Sequence, residues 1–296
     1  MEHRVCIDAS LCIGCGTCTS DCPASNLELR APSGANPGGA ALSGEPRGAA
    51  VVQWTDSFGQ DTHVRRVACP VDPENCLFCG HCEAVCPTAA VTLTGFEEEP
   101  EEVHGPVRLD PEELLQAIRT RRSIRHFKKT PVPEDILEKV LEAGRLTQTA
   151  KNSQRQSYVV LQKQIDAAEK LAVEGLRAVL AEEAAKAGAD SVSPLGRTQV
   201  TDDFMFFGAP AAIVVLSPSK TDGCLAAQNM SLMAEACGLG VLFSGFFTDI
   251  ANAVPALSQM LGIDETRQAV ATLVLGWPDI KYRRTVRREP LRVTRL

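Results

Sequence analysis

The chain is 296 residues long, enough for two domains and a sizeable core. Its net charge is −7 and unevenly spread: residues 1–107 carry 15 acidic and 5 basic side chains, a balance of −10, which leaves about +3 for the rest. Twelve cysteines occur without an apolar leader and without an apolar run long enough to cross a bilayer. That argues against a disulfide scaffold and a membrane protein, and for a reducing, cytoplasmic setting.

The first elements in chain order are two cysteine runs. One is Cys12-x₂-Cys15-x₂-Cys18-x₃-Cys22-Pro23, and the other is Cys76-x₂-Cys79-x₂-Cys82-x₃-Cys86-Pro87. Thiolates are soft ligands, and a short loop turns three of them toward a common centre that an iron–sulfur cube can occupy. The fourth cysteine of each run lies too far along to close the same site comfortably. Zinc ribbons use paired C-x₂-C knuckles, which this pattern lacks. The duplicated motif, with Gly14, Gly16 and Gly80, resembles a bacterial two-cluster ferredoxin over about residues 1–95. The resemblance implies two [4Fe–4S] clusters with exchanged fourth ligands. One would take Cys12, Cys15, Cys18 and Cys86, and the other Cys76, Cys79, Cys82 and Cys22. Cys6, Cys69, Cys224 and Cys237 are expected to be small buried side chains.

Between the runs, residues 24–68 are longer than a minimal ferredoxin needs. Residues 31–48 read as a Gly/Pro/Ala/Ser-rich loop. Residues 50–56 and 62–68 read as two short strands around an Asp56-Ser57-Phe58-Gly59 turn. An acidic stretch, FEEEPEEVHGP at 96–106, then serves as a solvated linker that extends to residue 109.

A helix starts at residue 110. Asp110 caps it, Pro111 suits its first turn, Glu113 completes the capping-box spacing, and Leu114, Leu115 and Ile118 form its apolar stripe. Further helices are predicted over 134–146, 164–187, 222–238 and 248–261, and strands over 157–162, 211–216 and 268–275. This alternation indicates a central sheet flanked by helices. The fold class of the whole chain is α+β: a small ferredoxin-like iron–sulfur domain followed by an α/β domain over 110–296.

Just after the capped helix stands Arg121-Arg122-Ser123-Ile124-Arg125-His126-Phe127. Three arginines and a hydroxyl within five positions can meet a phosphate monoester. Arginine-rich helix ends are also often only solvated. The motif resembles the opening of the nitroreductase family of FMN flavoproteins, and further segments agree in order. These are Thr149–Gln154, then Gly238-Leu239-Gly240 with Ser244-Gly245-Phe246, then Leu275-Gly276-Trp277-Pro278 with Arg287-Arg288-Glu289-Pro290.

The resemblance implies that Arg121, Arg122, Ser123 and Arg125 hold the FMN phosphate and ribityl chain. Arg288, with Arg287 as the alternative, would close on the phosphate. Asn152 would contact the ring or ribityl region, and Gly245 would approach the ring through its backbone. It also implies a homodimer with a C-terminal arm. Two departures from the family pattern would lie near the substrate face of the flavin: Arg155 replaces the usual Pro, and Ser244 stands where some relatives carry an acidic residue or glycine. The catalytic residues are therefore unknown, with Ser244 a contact at most.

The fusion reads as an electron relay: two clusters feed FMN, which reduces an electron-poor small molecule such as a nitro compound, a quinone or an activated alkene. The reverse direction, export of electrons from an oxidised substrate, is the alternative. A non-catalytic carrier or redox-responsive protein is the other. Donors in keeping with this reading are an external redox protein or NAD(P)H. Lys281–Leu296 carries seven basic residues against Glu289, yet without aromatic interleaving or a binding motif, so no nucleic-acid partner is expected.

Overall fold

The computed structural model describes residues 3–31, 54–55, 61–63, 66–187 and 199–296. By its contacts the chain divides into two units, Met1–Pro106 with Lys151–Ser153, and Val107–Ala150 with Gln154–Leu296.

The first unit is a twofold repeat. Strand β1 (Arg4–Ile7) precedes the short helix α1 (Thr17–Asp21), and β2 (Leu27–Arg30) follows. After β3 (Trp54–Thr55), β4 (Asp61–His63) and β5 (Val67–Pro70) come α2 (His81–Ala84) and β6 (Val91–Thr94). β1 pairs antiparallel with β6, Ile7 opposite Val91, and β2 pairs antiparallel with β5, Leu27 opposite Pro70. The two helices begin alike, on Gly16 and Gly80 at φ 79 and 76. The turns after each run match as well, with Ser25 and Ala89 at φ 49 and 51. The buried core is small: Ala9, Leu27, Val67, Ala68 and Ala90, completed by Cys12 and Cys18.

The expected second strand at 62–68 is divided. Asp61–His63 pairs with Trp54–Thr55, whereas Val67–Pro70 leaves that hairpin and pairs with β2, where Val67 and Ala68 become buried. The expected loop beyond Ala31 and the turn Asp56–Gly59 lie outside the described residues.

The second unit opens on α3 (Pro111–Thr120), where the Asp110 carboxylate accepts the Glu113 N–H at 2.8 Å. Then follow α4 (Glu134–Arg145), β7 (Ser157–Leu161), α5 (Ile165–Ala187), β8 (Ala211–Ser217) and α6 (Lys220–Ala236). The last elements are β9 (Gly240–Phe243), α7 (Gly245–Ala253), α8 (Pro255–Leu261) and β10 (Gln268–Gly276). The sheet order is β7-β8-β10-β9, and all neighbours are antiparallel.

Every residue of β8 is buried, because helices cover both faces of the sheet. Ala212, Val214 and Leu216 point into a core with α5, α7 and α8, through Ala172, Phe247 and Leu257. The alternate residues Ala211, Ile213 and Val215 point into a second core with α4 and α6, through Leu137, Val140 and Met230. Period-two alternation therefore feeds two cores rather than one core and solvent.

The helix expected over 248–261 is two helices. Val254 is extended, at φ −98 and ψ 112, because the ring of Pro255 disfavours helical backbone in the residue before it. β9 is a further difference. It has only four residues, too few for a periodic signal, and no strand is expected there from the sequence.

Candidate functional site

Two arrangements of side chains stand out, one in each unit. In the first, Cys12, Cys15, Cys18 and Cys86 line a single cavity together with Gly16, Leu29, Ala68 and Thr88. Three cysteines of the first run and the last of the second thus converge, the grouping expected for exchanged ligation. The repeat symmetry extends to the sulfurs: Asn26 N–H donates to Cys22 Sγ at 3.2 Å, and Ala90 N–H to Cys86 Sγ at 3.2 Å. Phe78 N–H approaches Cys76 Sγ at 3.4 Å. Such donors stabilise negative charge on sulfur.

Burial pushes the Cys82 thiol up to about 11, with the charges of Cys76 and Cys79 adding to the shift. Cys18 is raised by burial and by Cys12, Cys15 and Cys86 nearby. At Cys86 burial is outweighed by hydrogen bonds from Thr88 and Ala90, so its thiol is lowered. Among the described residues no three His, Cys, Asp or Glu side chains converge at the spacing of a single ion. Four cysteines drawn from both runs around one cavity are the donor set that an iron–sulfur cluster takes. Cys6 and Cys224 are exposed, contrary to the expectation that the four remaining cysteines are buried, while Cys69 and Cys237 are half-buried.

In the second unit, residues 123 and 124 lie beside the edge strand β9, and residues 126–128 beside residues 277–279, just past β10. Ser123 bridges Val241 in parallel, Ile124 N–H donates to the Val241 carbonyl at 3.0 Å, and Lys128 N–H donates to Trp277 O at 2.8 Å. The segment lies so close that a Cβ on Gly240 would sit 2.8 Å from Ile124. Gly238 has a different task. At φ 83 it ends α6, with its N–H on Glu235 O and the Leu239 N–H on Ala234 O, a Schellman turn that leads directly into β9.

Anchored this way, Arg121, Arg122, Ser123 and Arg125 line a cavity of about 370 Å³. Arg288 lines it from the C-terminal side, and Val241, Phe243, Val286, Ser231 and Glu235 complete its walls. Arg287 is not among the lining residues. The Arg122 guanidinium lies over the Tyr282 ring at 4.4 Å, and that of Arg125 over Phe207 at 5.8 Å. Arg121 ion-pairs with Glu235 at 3.0 Å and donates to Ser231 Oγ. Burial raises the Glu235 carboxyl despite the pull of Arg121. Arg121 Nε is buried with the Glu235 carboxylate beside it. Four arginines against one carboxylate suit an anion such as a phosphate monoester.

The remaining expected site residues lie elsewhere. Gly245 begins α7, and a Cβ there would meet open space, so packing within the unit does not require glycine. Asn152 ends a 3₁₀ turn, Ala150–Asn152, at φ 51, and groups by its contacts with the first unit. Ser244 is buried, with its N–H on Thr272 O at 2.9 Å. Sequence reasoning missed Ser231 and Glu235. Their signal was two polar residues one turn apart in the alanine-rich stretch of α6.

The nitroreductase family model matches residues 118–277, just over half of the chain. The chain belongs to the nitroreductase family. Ahead of this nitroreductase domain, residues 11–90 match a 4Fe-4S dicluster domain. A provisionally named NADH dehydrogenase/NAD(P)H nitroreductase of Methanothermobacter thermautotrophicus is 25% identical over 185 residues, 60% of this chain and 83% of that protein. A protein of the same description from Archaeoglobus fulgidus is 28% identical over 177 residues, 56% of this chain and 86% of that one. Among solved structures, a BluB-like flavoprotein from Clostridium difficile 630 superposes with a TM-score of 0.51 at 19% identity, covering 60% of this chain and 94% of its own. A nitroreductase with bound FMN from Bacteroides fragilis gives 0.49 at 19% identity, covering 62% and 99%.

Proposed function

We propose that this nitroreductase-family protein is an FMN-dependent oxidoreductase, supplied with electrons through two [4Fe–4S] clusters, that reduces an electron-poor small molecule: a nitro compound, a quinone or an activated alkene. The observation that carries this reading is the cavity on which Arg121, Arg122, Ser123, Arg125 and Arg288 converge from both ends of the second unit. In this reading the ferredoxin-like domain spans 1–95, a linker 96–109, and the flavin domain 110–296. Bound FMN would supply two-electron chemistry and the clusters single-electron transfer.

The chain's own residues bind and orient. The arginines and the Ser123 hydroxyl hold the phosphate, with Arg122 and Arg125 kept in place by the ring faces of Tyr282 and Phe207. Gly245 leaves room for a ring at the start of α7, where a side chain would project into that space. Val241 and Phe243 give the cavity an apolar wall. Cys12, Cys15, Cys18 and Cys86 hold one cluster, and Cys76, Cys79, Cys82 and Cys22 the other. A cytoplasmic location is part of the proposal; no helix among the described residues is long and apolar enough to cross a membrane. A homodimer is part of the reading, because α3 presents Leu114, Leu115 and Ile118 uncovered.

The deciding experiment is anaerobic reconstitution with iron, sulfide and FMN. Flavin bands over a broad iron–sulfur shoulder are expected, bleached by dithionite and restored by a nitroarene or quinone. A reconstituted chain that binds no flavin ends the proposal.

A further inference from the structure

We infer that Ser231 and Glu235 are positioning residues for Arg121: they fix its guanidinium so that a phosphate monoester in the arginine-lined cavity meets a pre-oriented donor edge. The inference rests on the FMN reading and extends it to two residues of α6 that no motif singles out.

Ser231 and Glu235 are four residues apart on one helix, so their side chains share a face. Ser231 is fully buried, and its Oγ accepts from Arg121 Nη2. Glu235 Oε2 stands 3.0 Å from Nε. Nε and Nη2 form one edge of the planar fork. With α6 on that edge, the opposite edge, Nη1 with the second Nη2 proton, is left for a ligand.

The three arginines of the motif are therefore held by different means. Arg122 and Arg125 rest against aromatic faces, which leaves their in-plane donors unspent. Arg121 instead has polar partners. Glu235 also lines the cavity, where its charge opposes a phosphate. A carboxylate is out of place in a site that works by charge alone, and it fits a site that depends on the direction of its donors.

The test uses the full-length chain with its clusters in place, stripped of flavin. Binding of FMN and of riboflavin is followed by flavin fluorescence for wild type, Glu235→Gln, Glu235→Ala and Ser231→Ala. Riboflavin shares the ring and ribityl chain but lacks the phosphate, so the ratio of the two affinities isolates phosphate recognition. Gln and Ala both remove the charge, and any relief of repulsion is common to them. Only Gln keeps an oxygen to hold Arg121.

The expected FMN/riboflavin ratio for Glu235→Ala is about tenfold below that of Glu235→Gln, the order of one charge-assisted hydrogen bond. Ser231→Ala should also fall below wild type, with riboflavin affinity constant throughout. Equal ratios for Gln and Ala overturn the inference. So does a parallel loss of riboflavin binding, which marks general damage rather than a turned guanidinium. If Glu235→Ala does not fold, Ser231→Ala against wild type decides, and an unchanged ratio overturns it. A wild-type chain that binds riboflavin as tightly as FMN defeats the phosphate reading and this inference together, whereas a strong wild-type preference with indifferent variants defeats this inference alone.

Discussion

Glu169 on α5 keeps its carboxylate inside the second unit, where it accepts the Met205 N–H at 3.1 Å and the Phe206 N–H at 2.7 Å. The two bonds hold a turn in which Phe207 adopts a left-handed backbone at φ 54, and it is the Phe207 ring that supports Arg125. Burial raises the Glu169 carboxyl, and the two N–H groups pull against that shift. A carboxyl raised in the folded state contributes stability below its unfolded value of about 4.3, and that contribution is lost as pH rises through the folded value. Glu169→Gln keeps one oxygen for the turn and removes the titration. It should flatten the pH dependence of stability between acid and neutral conditions and hold its own at neutral pH. Glu169→Ala strands two buried N–H groups and should cost about 2–4 kcal/mol, at the usual cost for each unsatisfied group. Urea unfolding at two pH values checks both, and identical Gln and Ala variants would show that the hydrogen bonds carry no weight.

At the scale of elements, length and purity of pattern decided what the sequence made legible. β8 and β10 are runs of seven and nine residues and stand where the apolar runs predict them. α3 begins on the cap that Asp110 announces. The four-residue strands β1, β6 and β9 escaped, because so short a run shows no period, and β9 merges with the glycines that frame it. The arginine run was legible as a candidate, since its residues are adjacent in sequence. Ser231 and Glu235 were not, because they reach Arg121 only once the Schellman turn brings the end of α6 up to β9.

Asn26 was invisible for a similar reason. Buried beside β2, it donates to Asp72 O at 2.6 Å and accepts from Asp72 N–H at 2.7 Å, tying the two halves of the repeat together. The apolar core of that unit is small, so this clasp is a large share of its stability. Asn26→Ala should cost about 2 kcal/mol or more and lower the iron and sulfide retained per chain after purification. Full retention in that variant would mean that the clusters alone hold the repeat together.

For the whole molecule, assembly turns on α3. Its ten residues are all exposed, and Leu114, Leu115 and Ile118 are 39%, 54% and 46% exposed on a helix whose cap is well made. The C-terminal residues Leu291, Val293 and Leu296 are uncovered too. A second copy of the chain is the partner that the proposed function assigns to these surfaces. Sedimentation should give twice the 31.7 kDa chain mass for wild type, and Leu115→Glu with Ile118→Glu should shift it to one chain. A wild type that sediments as a single chain removes the homodimer from the proposal.

The convergence of Cys86 on the loop of Cys12, Cys15 and Cys18 also has a consequence for biosynthesis. A ribosome delivers the first three thiols early and the fourth only after everything between Cys18 and Cys86 has emerged. Until then the four-thiol site that the proposed function assigns to one cluster does not exist, and iron delivered to the nascent chain would find at most three ligands there. Under the proposed ligation, the long stretch between the two runs lengthens this interval, and cluster insertion waits until the first domain is complete, while the second is still to be made.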